Sequence, residues 1–194
     1  KCGLKCDDSK FTNCLANSGG GGAIYIYINE AVAAPVELNC VTFSSCQAAY
    51  GGASYIYSSI ESINVIINNC IFVKNKANSG SGYNGLTGGN SLYLTIQQGS
   101  INNCNFNQNA GLSSVKVTNK FDGVLDESSF HSSISFDNCV FEINNNSSSS
   151  LLYDKKTNSD FIVSIKNCIF SGDLYNNHHI FFLNLFSYIK HHLV

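Results

Sequence analysis

The stretch Asn69-Cys70-Ile71-Phe72 decides the fold, because its Asn-Cys pair recurs along the 194-residue chain. The pairs are Asn13-Cys14, Asn39-Cys40, Asn69-Cys70, Asn103-Cys104, Asn138-Cys139 and Asn167-Cys168. Successive pairs are 26, 30, 34, 35 and 29 residues apart. Spacing in this range is typical of stacked supersecondary units. We therefore predict that the six pairs form one structural ladder, with like residue above like.

Apolar residues alternate on both sides of each Asn, but the two sets are out of phase by one residue. Val65 and Ile67 precede the bend at Asn69, and Cys70 and Phe72 follow it. A straight strand cannot change the parity of its inward side chains. A short bend can, and Asn tolerates the left-handed backbone conformation that such a bend requires. Each repeat is thus predicted to be strand, Asn bend and strand.

A second motif, Phe-x-x-Asn, follows each bend and precedes a variable loop and a third strand. Phe72-Val73-Lys74-Asn75 is a full copy, and Phe43-Ser44-Ser45-Cys46 is a variant. The third strand is clearest from Gly21 to Ile28. Three strands per repeat predict an all-β parallel β-helix of about six coils, stacked about 4.8 Å apart. We treat residues 1–194 as one domain, with a Cys-containing end (1–10), repeat coils (11–175) and an apolar end (176–194).

Gly21-Gly22-Ala23-Ile24, combined with the Phe-x-x-Asn copies, resembles the repeat pair of the polymorphic outer membrane proteins of chlamydiae. The resemblance covers roughly residues 11 to 175. It implies a right-handed parallel β-helix that acts in surface adhesion. This chain departs from that family by carrying a Cys after nearly every bend Asn.

Composition and charge restrict the partners and the location. Charged residues are only 12% of the chain and the net charge is −2, which gives no electrostatic basis for binding nucleic acid. No stretch approaches the roughly 20 apolar residues that cross a bilayer. Because the sequence starts with Lys1, we take it as a mature or trimmed form of an extracellular or cell-surface protein. In a protein secreted by a eukaryote, Asn145 and Asn146 would be glycosylation acceptors.

The nine cysteines divide into six of the repeat and three others, Cys2, Cys6 and Cys46. Cys packs as a small apolar side chain, so a buried stack is favoured for the six. Disulfides between stacked neighbours are the alternative, but parallel Cβ atoms are farther apart than the usual separation of about 3.8 Å. Cys2 and Cys6 are better disulfide candidates, with each other or with Cys46. An odd total leaves one thiol unpaired or bonded to another chain.

Catalytic, cofactor and metal sites are not predicted. No C-x-x-C pair indicates a metal site. Polysaccharide lyases and hydrolases with this fold need clustered acids, and the lyases often use Arg. The chain has no Arg, and its only adjacent acid pairs are Asp7-Asp8 and Asp126-Glu127. The histidines have no evident nucleophile or acid beside them.

The third strands predict an external tyrosine stripe. If Ile24, Ile26 and Ile28 point inward, then Tyr25 and Tyr27 point outward. The residues at matching places are Tyr55, Tyr57 and Tyr93. Stacked tyrosines could simply stabilise and cover the sheet face. Alternatively, they could form a contact surface for sugar rings or for another protein.

The most apolar stretch, residues 180–189, lies in the carboxyl end and includes Phe181, Phe182, Leu185 and Phe186. It could cap the coil or dock on the next subunit, and repeated head-to-tail docking would build a filament. We expect a non-catalytic extracellular structural protein, either an adhesin module or a filament subunit. Its partners would be itself or cell-surface glycans and proteins. A carbohydrate-active enzyme or carbohydrate-binding β-helix of pectate-lyase or tailspike type is the alternative.

Overall fold

The computed structural model describes residues 3–28, 35–58, 60, 63–78, 88–119, 131–142, 151–154, 160–172 and 180–183. All regular elements in these ranges are β-strands. Most of the strands contain three to five residues, which is the length expected of segments that end at closely spaced bends.

Eighteen strands form three parallel sheets. The first sheet contains β1 (Leu4–Asp7), β4 (Val36–Asn39), β8 (Asn64–Asn68), β12 (Gln98–Asn102), β15 (His131–Asp137) and β18 (Asp160–Lys166). The second contains β2 (Lys10–Thr12), β5 (Thr42–Ser44), β9 (Ile71–Val73), β13 (Asn105–Asn107), β16 (Val140–Glu142) and β19 (Ile169–Ser171). The third contains β3 (Ile24–Ile28), β7 (Ser54–Ser58), β11 (Leu92–Thr95), β14 (Val115–Thr118), β17 (Leu151–Asp154) and β20 (Ile180–Leu183). The remaining two strands, β6 (Gln47–Ala48) and β10 (Lys76–Ala77), pair with each other.

The chain visits the three sheets in turn, and each strand pairs with the equivalent strand of the neighbouring coil. All of these pairings are parallel. The predicted all-β parallel β-helix is therefore confirmed. Four of the six strands in each sheet have a partner on both sides.

Two of the bends in each coil are made by left-handed residues other than glycine. At the first bend, between the first and second sheets, Asn69, Asn103, Asn138 and Asn167 have φ of 54°, 53°, 53° and 50°. At the second bend, after the second sheet, the left-handed residues are Asn13, Ser45, Lys74 and Gln108. The Asn bends predicted from the change of parity are confirmed at the four Asn residues of the first bend. Their side chains are favoured there because Asn enters the left-handed region at low cost.

The interior is organised around a stack of phenylalanine rings from the second sheet. Neighbouring ring centroids are 4.8–5.3 Å apart and nearly parallel along Phe11, Phe43, Phe72, Phe106, Phe141 and Phe170. The four inner rings are fully buried. Val65, Ile67, Leu92 and equivalent aliphatic residues of the other two sheets pack in the same core. The stack arises because the coils keep a constant register, so that each Phe lies above the last.

The register corrects the predicted ladder at its first two pairs. Cys40, and not Asn39, occupies the left-handed position equivalent to Asn69, because Asn39 pairs with Asn68. Val41 therefore takes the buried place above Cys70. Asn13 lies at the second bend, so Cys14 belongs to a different column. At these two pairs the Asn-Cys letters occupy other places in the coil, because the position of a bend is set by its distance from the paired strands.

Truncation of one ring tests the phenylalanine stack. We expect Phe106→Ala to lower the free energy of unfolding by about 3–5 kcal/mol, because it opens a cavity between two stacked rings. Urea unfolding followed by circular dichroism measures this loss. The control is Ile169→Ala, which removes an exposed side chain and should cost less than about 1 kcal/mol. Equal losses in the two variants would contradict the assigned core.

The bend is tested by a matched pair of substitutions at the exposed Asn103. Asn103→Ala should destabilise the protein by about 1 kcal/mol, because a β-carbon without a polar group disfavours positive φ. Asn103→Gly should be neutral or stabilising, since Gly adopts this conformation freely. Calorimetric melting temperatures of the two variants give the comparison. A higher melting temperature for the Ala variant would show that this bend is not a stability determinant.

Candidate functional site

An outer ladder of amides precedes the first bend. Asn39 Nδ2 donates to Asp7 Oδ1 at 2.9 Å, Asn68 donates to Asn39 Oδ1 at 3.1 Å, and Asn102 donates to Asn68 Oδ1 at 2.9 Å. From the bend position itself, Asn167 Nδ2 donates to Asp137 Oδ1 at 3.0 Å. The Asn39 hydrogen bond and the nearby Lys5 ammonium, 3.2 Å from the carboxylate, lower the pKa of Asp7. The described carboxylates of this ladder thus accept structural hydrogen bonds.

The first bend is followed inside by a column of four cysteines, Cys70, Cys104, Cys139 and Cys168. All four are free thiols. Each donates weakly to two backbone carbonyls, as Cys70 does to Leu38 O at 3.5 Å and Asn68 O at 3.2 Å. Contacts with the thiols of Cys139 and Cys70, together with burial, raise the pKa of Cys104. Cys70, Cys104 and Cys139 are buried and Cys168 is partly exposed, so the column is a stack of small side chains that is mostly buried.

A buried amide ladder follows the second bend. Asn75 Oδ1 accepts from the Cys46 backbone N–H at 2.9 Å, and Asn75 Nδ2 donates to Phe43 O at 3.1 Å. Asn109 repeats the pattern one coil later, accepting from Asn75 N at 2.9 Å and donating to Phe72 O at 3.0 Å. Each Asn thereby satisfies backbone groups of the coil before it. This role explains the Phe-x-x-Asn motif, whose Asn side chain the sequence analysis did not assign.

Cys14 and Cys46 occupy this same column in the first two coils. Cys46 Sγ lies 3.7 Å from Phe11 O. The equivalent contact in the next coil is the hydrogen bond from Asn75 Nδ2 to Phe43 O. Burial raises the pKa of Cys46 to about 11. The sequence signal for this pair is the shared spacing of Phe11-Thr12-Asn13-Cys14 and Phe43-Ser44-Ser45-Cys46, of which only the second was recognised as a variant of the Phe-x-x-Asn motif.

The predicted disulfide candidates are placed as follows. Cys6 and Cys46 are both free thiols. Cys6 lies in β1 opposite Leu38, whereas Cys46 follows β5 of the second sheet, so they belong to different columns. The pairing of Cys6 with Cys46 is therefore wrong for this structure. Cys2 lies outside the described residues.

The tyrosine stripe exists, but most of it is covered. Tyr25 is aligned with Tyr55 and Tyr93, and Tyr27 with Tyr57, as the alternation predicted. Tyr25 and Tyr27 are 54% and 45% exposed. Tyr55, Tyr57 and Tyr93 are 3%, 2% and 1% exposed, so the prediction that they form an external contact surface is wrong. The exposed part of the stripe is the pair on β3.

The covered tyrosines form a second cluster on the outer side of the third sheet. Tyr50 packs edge-on against Tyr55 at 5.0 Å and against Tyr93 at 5.9 Å between ring centroids. Lys116 is buried, with its ammonium 4.9 Å from the Tyr93 ring centroid. Burial raises the pKa of Tyr55. Alternation within a strand does not indicate this cluster, because Tyr50 comes from the segment before the strand.

Several predicted positions lie outside the described residues: Asn145, Asn146, Leu185 and Phe186. Phe181 and Phe182 belong to β20, which pairs in parallel with β17 of the third sheet. At least this part of the apolar end therefore continues the coil.

The ranges described above contain no group of three or more His, Cys, Asp or Glu residues that could hold a metal ion. In the same part of the chain, no helix is long and apolar enough to cross a membrane. Comparisons of the chain with known protein families, with curated proteins and with solved structures gave no match.

The buried amide ladder gives a prediction about Asn75. We expect Asn75→Ala to cost about 1–3 kcal/mol for each buried backbone group that it leaves unpaired, namely Cys46 N–H and Phe43 C=O. The Cys46 amide should also lose hydrogen-exchange protection, which NMR measures directly. Asn68→Ala in the outer ladder is the control, and its loss should be about 1 kcal/mol or less, because water can replace the amide. An unchanged exchange rate at Cys46 would refute the ladder.

Proposed function

We propose that this chain is a non-catalytic extracellular adhesin module that binds its partner through Tyr25 and Tyr27. The observation that carries the proposal is their exposure on β3, beside a sheet face whose equivalent tyrosines are buried. The two rings leave half of their surface in solvent. Exposed tyrosines on a rigid strand are suited to flat apolar faces that also carry hydroxyl groups.

The geometry supports binding with little loss of side-chain freedom. The Tyr25 ring stacks on Tyr55 with centroids 5.2 Å apart, and the Tyr27 ring stacks on Tyr57 at 4.4 Å. Their supporting partners are buried and fixed by the sheet. Both exposed rings are therefore already held in one orientation, which lowers the entropic cost of association. A pyranose ring, with its apolar face and polar rim, is the partner that we favour.

The non-catalytic assignment is supported by the structural roles of Asp7 and Asp137. Asp7 accepts from Asn39 and is paired with Lys5, and Asp137 accepts from Asn167. These carboxylates complete the outer ladder. The resemblance of the repeats to those of the chlamydial surface proteins also favours adhesion, and it makes a surface location part of the proposal.

Binding of the purified full chain to immobilised cell-surface glycans tests this function. The double variant Tyr25→Ala, Tyr27→Ala should bind at least about tenfold more weakly, because two aromatic anchors are lost. The control is Ile162→Ala with Ile169→Ala, which removes two exposed apolar side chains from the other sheets and should leave binding unchanged.

Two other results would contradict this proposal. Equal binding by the tyrosine variant and the wild type would place the contact surface outside β3. Concentration-dependent polymerisation without glycan binding, measured by light scattering and electron microscopy, would favour the filament subunit instead.

A further inference from the structure

Cys14 and Cys46 lie one above the other in adjacent coils. Leu15 and Gln47, the next residues, form a parallel bridge. Gln47 N–H donates to Cys14 O at 2.8 Å, and Ala16 N–H donates to Gln47 O at 2.9 Å. Parallel neighbours are separated by about 4.8 Å, which is within the range of about 4.4–6.8 Å between the Cα atoms of a disulfide. The two residues are therefore in register for a bond.

This pair differs from the four-cysteine column in how its thiols are held. Cys104 in the column has thiol neighbours both above and below, and it is buried. Cys46 is also buried, but its neighbour Cys14 is partly exposed and reachable from solvent. Cys14 Sγ lies 3.8 Å from Thr12 O, and its thiol also contacts the thiol of Cys46. On the Cys14 side the bridge at Leu15 lies outside the strands, between the end of β2 at Thr12 and the start of β3 at Ile24, so the backbone of Cys14 can make the small shift that brings the Cβ atoms to bonding separation.

We propose that Cys14 and Cys46 form an intrachain disulfide by reaction with a small disulfide such as glutathione disulfide. The Cys14 thiolate attacks the small disulfide, whose S–S bond breaks, and one glutathione thiolate leaves. The Cys46 thiolate then attacks Cys14 Sγ in this mixed disulfide and expels the second glutathione. The two cysteine sulfurs lose two electrons, the small disulfide gains them, and the two cysteine protons are taken up by the departing thiolates.

Exposure fixes the order of these two steps. Cys14 is accessible to the oxidant, whereas Cys46 is buried and its pKa is raised to about 11, so Cys46 supplies few thiolates for a first attack. Cys46 acts second, when its target is already next to it. This order distinguishes the pair from a random oxidation of accessible thiols, in which the exposed Cys40 would react most.

The test is oxidation of the full folded chain with glutathione disulfide, followed by alkylation and peptide mapping. Cleavage after Lys and Glu gives a peptide 11–30 with Cys14 alone and a peptide 38–61 with Cys40 and Cys46. We expect these two peptides to be joined. The Cys40→Ser variant should keep the link, which assigns it to Cys46.

Single variants test the order of attack. Cys46→Ser should accumulate glutathione on Cys14, and Cys14→Ser should leave Cys46 unmodified. Cys104→Ser, a buried thiol of the other column, serves as the control and should not change the yield of the link. The proposal is overturned if Cys14 stays reduced, if its glutathione adduct persists in the wild type, or if the disulfide joins Cys139 to Cys168 or involves Cys40.

Discussion

The structure depends on one constraint: the chain must return to the same register after every turn of the coil. Left-handed residues make the two turns that flank the second sheet, and their backbone N–H groups are paired with the next coil. Asn69 N, for example, donates to Asn102 O at 3.0 Å, and Lys74 N donates to Asn107 O at 3.1 Å. The ladder of backbone bonds therefore continues through the corners. Because the register is constant from coil to coil, the phenylalanine rings stack on one another and the Asn side chains of neighbouring coils are aligned.

The polar side chains at the two corners lie in different environments. The first corner faces solvent, so its amides can exchange partners with water and their contribution is small. At the second corner the left-handed Ser45, Lys74 and Gln108 are exposed as well, but the residue after each is buried, and the buried backbone groups there would otherwise have no partner. Asn75 and Asn109 both accept and donate, which Asn can do with one side chain. Cys46 reproduces only the donation, through a longer contact from sulfur. This makes the first two coils the place where the inner ladder is chemically weakest.

The sequence predicted the features that depend on local spacing. The change of parity across Asn69 predicted the bend, and the recurrence of Phe at one place in the repeat is the basis of the phenylalanine stack. It failed where the same letters occur at different distances from a strand, since Asn13-Cys14 and Asn39-Cys40 match the motif without sharing its position. It also failed for Tyr55, Tyr57 and Tyr93. Alternation shows that these side chains point outward, but their burial depends on what packs over the sheet, and that is not encoded within the strand.

The outer amides have a further consequence, because every donor in them points toward the amino end. Asn102 donates to Asn68, which donates to Asn39, which donates to Asp7. The side-chain dipoles of such a series add, as peptide dipoles do along a helix. This series of three hydrogen bonds ends on the Asp7 carboxylate, and the single bond from Asn167 ends on Asp137, so negative charge lies at the positive end of each. The outer hydrogen bonds thus have a dipole along the axis of the coil, and a carboxylate at the amino end offsets its positive end.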